Sequence, residues 1–199
     1  MIRLILVRHG NTFLSDQTPT QVGARTDLPL TQEGRAQAAR MGQFLAGESA
    51  IPQAIYAGAL QRQTETAAIL SQSLGGLSIL PEKALTEIDY GLWEGLVSEQ
   101  IQAGWKREYD AWTTEGKWPV EIFGGSLERH LSSIRHWLDG LCKTFASGDV
   151  IVGVTSNGII RLFHPQRQEK RDLKVKTGHF CELLLSPNSI EIQSWNRSC

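Results

Sequence analysis

Leu4-Ile5-Leu6-Val7-Arg8-His9-Gly10 is the stretch on which the reading of this chain turns. A short apolar run closed by glycine reads as a buried strand. A cation, an imidazole and a residue without a side chain follow it directly. In a parallel α/β sheet, ligands bind at the carboxyl ends of the strands. Arg8 offers a planar fork of donors that matches a phosphate. His9 belongs to the residue types that form covalent intermediates. Gly10 lets backbone approach closely.

Working outward, Asn11 to Pro29 is polar and rich in turn formers, a long loop of the kind that carries function. Leu30-Thr31 opens a helix with Thr31 as N-cap; Ala38, Met41 and Leu45 share its apolar face, and it ends near Gly47. Ala54 to Ala57 is a second strand. A helix follows with Leu60, Ala67, Leu70 and Leu74 on one face, stopped by Gly75-Gly76. Leu77 to Leu80 reads as a third strand ended by Pro81. Residues 82–96 form another loop, carrying Glu87, Asp89, Trp93 and Glu94. The spacing predicts a helix over 97–113 whose stripe of Ile101, Trp105, Tyr109 and Trp112 packs on the core. Ser126 caps the clearest helix, marked by Leu127, Leu131, Ile134, Leu138, Leu141 and Phe145. Val150 to Val154 is a buried strand, and Asn157-Gly158 leads into a short helix. Cys181 to Leu185 and Ile190 to Ser194 flank a turn and read as an edge hairpin. Strands alternating with helices imply a three-layer α/β/α sandwich with a mostly parallel sheet and an antiparallel edge strand near the C-terminus. No internal repeat or linker divides the chain, so residues 1–199 are expected to form one domain.

Composition narrows the function. Apolar residues make up 41% and charged residues 21%, as in ordinary globular proteins. Twenty basic against 21 acidic residues give a net charge of -1, which argues against a nucleic-acid or membrane-surface protein. The run Arg167 to Lys176 is basic but includes Glu169 and Asp172, and reads as a solvated loop or helix face. The 3 cysteines, Cys142, Cys181 and Cys199, form neither a disulfide framework nor a paired metal-ligand spacing, so a reducing cytoplasm is the expected location. Arg8 and His9 interrupt the N-terminal apolar run too early for a signal peptide, and no run has transmembrane length.

Three further segments join the opening motif. Arg62 lies near the start of the helix after the second strand, in Tyr56-Ala57-Gly58-Ala59-Leu60-Gln61-Arg62-Gln63-Thr64. Glu87 lies in Leu85-Thr86-Glu87-Ile88-Asp89-Tyr90-Gly91-Leu92-Trp93-Glu94-Gly95. The pattern Asp27-x-Pro29-Leu30-Thr31-x-x-Gly34-x-x-Gln37-Ala38 lies between them. Together these resemble the histidine phosphatase superfamily, in particular its phosphoglycerate mutase-like branch. The resemblance runs from residue 4 to about 96 and resumes at about 150–163. It implies a phosphomonoesterase in which His9 becomes a phosphohistidine and Arg8 and Arg62 hold the phosphoryl oxygens. Glu87 would protonate the leaving alcohol and later activate water, which requires a raised pKa. No cofactor or metal is implied. The expected partner is a small phosphorylated substrate or phosphate, and oligomeric state is left open, a homodimer included.

The chain also departs from that family. Where the family places a second histidine, the stretch Val154-Thr155-Ser156-Asn157-Gly158-Ile159-Ile160-Arg161 carries Ser156. A serine hydroxyl can donate one hydrogen bond but carries no charge, and losing one such donor typically costs about 10²–10³ in rate. A phospho-ligand-binding pseudo-phosphatase, weak or inactive, is therefore one alternative, and a phosphoglycerate mutase another. Against the mutase, Lys106, Arg107 and Lys117 are scattered rather than clustered. His179, in Thr177-Gly178-His179, is a candidate to reach the phosphate in place of the missing histidine. His130 and His136 lie off the leucine stripe, and His164 could cap the short helix. The family's asparagine six positions after the nucleophile is Ser15 here; Asn11 and Thr12 lie nearer to His9 and could donate instead. The pocket rim is expected from 11–26 and 97–125, with Trp93, Trp105, Trp112 and Trp118 among the lining candidates.

Overall fold

In the computed structural model, described over residues 1–167 and 173–199, one six-stranded sheet has the order β3-β2-β4-β1-β5-β6. The strands are β1 (Ile2–Arg8), β2 (Ala54–Ala57), β3 (Ile79–Pro81), β4 (Val150–Thr155), β5 (Phe180–Ser186) and β6 (Ser189–Arg197). The helices are α1 (Gln32–Ala46), α2 (Gln61–Ser73), α3 (Ser98–Glu115), α4 (Leu127–Thr144) and α5 (Asn157–Leu162). The run Arg167 to Lys176 falls partly outside the described residues, which omit 168–172.

β3, β2, β4 and β1 run parallel, and the β5–β6 hairpin is antiparallel, with β5 set against β1. β3 ends on Pro81 itself, a residue later than the sequence suggests. As an edge strand it tolerates a residue without an N–H.

Alternation along the strands sorts side chains into two apolar layers. On one face Ile5, Val7, Val152 and Val154 pack with Met41 and Leu45 of α1 and Ala67 and Leu70 of α2. On the other, Leu4, Leu6 and Ile151 pack with Ile134, Trp137 and Leu141 of α4 and with Ile159 and Ile160 of α5. Ile101 is buried, while Trp105, Tyr109 and Trp112 are partly buried against the second layer. α3 is kinked at Trp105 (φ −142°, ψ 47°), next to Gly104.

Register places the site. Arg8 pairs with Thr155, and Ala57 with Val154, so β1, β2 and β4 end level at one edge. The loop after β1 is tied down rather than free. Thr31 caps α1 by accepting from Gly34 N at 3.0 Å, and Gln37 Oε1 accepts from Asn11 N at 2.9 Å. The Glu94 carboxylate accepts from Arg25 N and from Thr26 Oγ1. Asp27 Oδ1 accepts from Gln61 N at 2.7 Å, so this loop supplies the cap that α2 lacks in its own Leu60. The motif from Asp27 to Ala38 thus supplies caps and close contacts. Asp27→Ala is expected to lower unfolding stability by about 1 kcal/mol, the usual worth of an N-cap. Urea titration should show a lower midpoint with an unchanged slope.

Candidate active site

A cavity of about 1140 Å³ opens where β1, β2 and β4 end. Arg8, His9, Asn11, Thr12, Arg62 and Glu87 all line it, and so does Ser15.

His9 is buried, with Nδ1 2.8 Å from the Gly10 carbonyl oxygen. A carbonyl only accepts, so Nδ1 carries the proton and Nε2 keeps its lone pair. Burial first, then the Arg8 and Arg62 charges, holds the imidazole well below its usual pKa. The ring is therefore neutral at physiological pH.

Arg62, in the first turn of α2, is only 1% exposed, unlike an ordinary helix-surface arginine. Its Nη1 donates to Thr26 O at 2.8 Å and its Nη2 to Gly23 O at 3.1 Å. Arg8 Nη1 donates to Val175 O at 2.5 Å. The Nε of each arginine is buried without a partner among the described residues. Carbonyls satisfy donors without neutralising charge, so the buried Arg62 and the half-buried Arg8 keep a positive field here. An anion with several acceptor oxygens suits it.

Glu87 sits opposite in charge and in tendency. Its Oε1 accepts from Ile88 N at 2.9 Å and its Oε2 from Gly158 N at 3.1 Å. Burial raises its pKa, against the pull of those two amides and both arginines. Gly158 is required at this spot, because a Cβ there would meet Tyr90 Oη at 2.3 Å and Glu87 Oε1 at 2.4 Å. Tyr90 also lines the cavity. Burial and the nearby Glu87 push its phenol well above its usual pKa, so it stays protonated. Its place three residues after Glu87 was the only sequence signal for it.

Two candidates lie outside the cavity. Ser156 is 1% exposed and does not line it; its Oγ accepts from Gln63 Nε2 at 2.9 Å. His179 does not line it either. Its Nδ1 donates to Asn196 O at 3.1 Å, which holds the ring toward β6. Asn157, Lys174, Lys176 and Thr177 do line the cavity. The rim follows 11–22 with Leu96, Ser98 and Ile101, but none of the four candidate tryptophans. Trp93 is buried, and Trp105 and Trp118 line a separate cavity of about 840 Å³ between α3 and residues 117–122. His164 Nδ1 accepts from Gln166 N just beyond α5. Among the described residues, no cluster of histidine, cysteine and carboxylate groups could hold a metal ion, and no helix is long and apolar enough to cross a membrane.

The sheet order and the Arg-His-Gly turn at its edge define an α/β protein of one known class. The sequence profile of the histidine phosphatase superfamily (branch 1) matches residues 4–198, and the chain belongs to that family. It is 30% identical to phosphoglycerate mutase-like protein 4 of Arabidopsis thaliana over 174 residues, 86% of this chain and 74% of that one. It is 29% identical to phosphoserine phosphatase 1 of Hydrogenobacter thermophilus over 154 residues, 76% of this chain and 70% of that one. Its fold matches a mycobacterial glucosyl-3-phosphoglycerate phosphatase with a TM-score of 0.83 at 22% identity, covering 98% of this chain and 99% of that one.

The buried His9 makes stability depend on pH. Its folded pKa lies below the unfolded value, so the unfolded chain takes up the proton first as pH falls. The contribution is fully present above about pH 6.5 and is lost below it, with a limiting slope of about 1.4 kcal/mol per pH unit. Urea unfolding at pH 7.5 and 5.5 should show a larger loss in wild type than in His9→Gln, which cannot titrate. Equal losses would show that His9 is not held neutral by the fold.

Proposed function

We propose that this chain is a phosphomonoesterase working through a phosphohistidine at His9, with Glu87 as the proton donor. The observation that carries this reading is the pairing of a neutral His9, Nδ1 bound to Gly10 O, with a carboxyl group whose pKa burial raises, in one cavity with Arg8 and Arg62. Environments that shift two titratable groups in opposite directions are how one site comes to hold both a nucleophile and an acid.

In this mechanism His9 Nε2 attacks phosphorus and the bond from phosphorus to the leaving oxygen breaks. Glu87 gives its proton to that oxygen, so an alcohol departs. A water then attacks the phosphohistidine while Glu87, now a carboxylate, takes its proton. The P–N bond breaks, orthophosphate leaves, and Glu87 is again protonated. Arg8 and Arg62 offset the charge on the phosphoryl oxygens, the largest kind of contribution in phosphoryl transfer. The phosphatases among the relatives and fold neighbours support hydrolysis. The mutase-like relative keeps phosphoryl exchange as the outcome to exclude. A cytoplasmic location accords with a site that needs no disulfide.

The test is phosphate release from an aryl phosphate and an alkyl phosphate. His9→Ala should fall to background with both. Glu87→Gln should lose about 10²–10⁴-fold on the alkyl ester, whose leaving group needs the proton, and far less on p-nitrophenyl phosphate. Wild-type kcat/KM should hold as pH rises past 4.5 and fall only once Glu87 ionises at its raised pKa. Glu87→Gln should abolish that alkaline limb. Full activity in His9→Ala would overturn the mechanism.

A further inference from the structure

With Ser156 turned onto Gln63 and His179 onto Asn196, the phosphate cradle has no second imidazole. We propose that Asn157 fills this role, its Nδ2 donating a hydrogen bond to a phosphoryl oxygen. The inference rests on the phosphate-site reading above.

Asn157 lines the cavity together with Arg8, His9, Arg62 and Glu87. Its orientation is not free. Oδ1 accepts from Val175 N at 2.9 Å, and a backbone N–H can face only the oxygen of a carboxamide. Nδ2 is therefore fixed by elimination, and its two N–H groups have no acceptor among the described residues. Val175, fully buried, holds two members of the cradle at once. Its N–H holds Asn157, and its carbonyl accepts from Arg8 Nη1 at 2.5 Å. On the other side, the N–H of the next residue, Gly158, holds Glu87 at 3.1 Å. Asn157 is thus locked between the cation and the acid of the site.

Asn11 is arranged alike. Its Oδ1 accepts from Thr177 Oγ1, and it too lines the cavity with its amide nitrogen left to donate. A carboxamide does not titrate in the working range, so these donors stay available wherever His9 is neutral.

The experiment measures orthophosphate binding by calorimetry and side-chain amide resonances on ¹⁵N-labelled protein. The pair of resonances missing from Asn157→Asp belongs to Asn157. That variant keeps an oxygen for Val175 N, so it should melt with wild type. In wild type, orthophosphate should shift one of the two Nδ2 proton resonances downfield. A carboxamide that merely anchors Val175 would leave both in place. Asn157→Ala should bind orthophosphate about 10- to 100-fold more weakly, the worth of a hydrogen bond to a charged group. An unshifted resonance, or an Asn157→Ala affinity within about twofold of wild type, overturns the inference, since the lost bond should cost more. Failure of wild type to bind orthophosphate overturns it together with the phosphate-site reading. Binding without turnover overturns hydrolysis alone and leaves the resonance to decide on Asn157.

Discussion

The site depends on a contact between two stretches of bare backbone. A Cβ on Gly10 would lie 2.1 Å from Gly34 O, and one on Gly34 would lie 2.2 Å from Asn11 O. No other residue fits at either position without moving the main chain. The first turn of α1 can therefore rest directly on the turn that ends β1. That contact fixes Gly10, whose carbonyl selects the tautomer of His9. Gly10 N in turn donates to Thr66 Oγ1 at 3.3 Å, and Thr66 Oγ1 donates to Arg62 O at 2.7 Å. His9 and Arg62, more than fifty residues apart in sequence, are thereby linked through a short chain of hydrogen bonds.

Burial sets the protonation of the site as well as its shape. Removing water favours the neutral form of any titratable group, so it lowers His9 and raises Glu87 by the same cause. The arginines oppose this at Glu87 and reinforce it at His9. Two guanidinium groups held, among the described residues, by carbonyls alone, each with an unpartnered buried Nε, are costly for an isolated chain. An apolar core would not carry such a cluster. A cavity that receives an anion gives the cost a purpose, since phosphate oxygens can accept what the protein leaves over.

Much of this was legible in the sequence, for reasons that can be named. The positions of the strands and the apolar helix faces followed from apolar spacing, because β1 and β4 alternate their side chains between two helical layers. Thr31 and Ser126 were readable as caps because capping is local, set by a residue and the amide three positions on. Arg8 and His9 were readable because they close the first strand, and Arg62 and Glu87 because the motifs around them resemble one family; the fold brings all four to one cavity. The tryptophans were legible only in part: Trp105 and Trp112 pack on the core as their helical spacing suggests, but none of the four candidates lines the site cavity. Aromatic character alone cannot tell a pocket wall from a core, and Trp112, Trp118 and Phe123 pack edge to face with one another instead. His179 was misplaced because its nearness to β1 is a backbone matter. Its carbonyl accepts from Arg8 N, while its ring turns to β6.

The end of β4 shows why one substituted position does not decide the chemistry of the site. Thr155, Ser156 and Asn157 send their side chains to three different partners, the Leu85 carbonyl, Gln63 and the Val175 amide. Only the last of them faces the cavity. Comparing residue types at Ser156 alone counts an imidazole lost and stops there. The geometry adds a carboxamide gained one residue on, in a place where its oxygen is already committed and its nitrogen is not. The exchange is not even in charge, because an amide cannot supply the positive charge that an imidazolium can. Charge neutralisation around a phosphate then falls to Arg8 and Arg62, with Lys174 and Lys176 lining the same cavity. This gives a physical reason for Arg62 to be buried and Arg8 half-buried, where the dielectric is lower than in water and each charge counts for more.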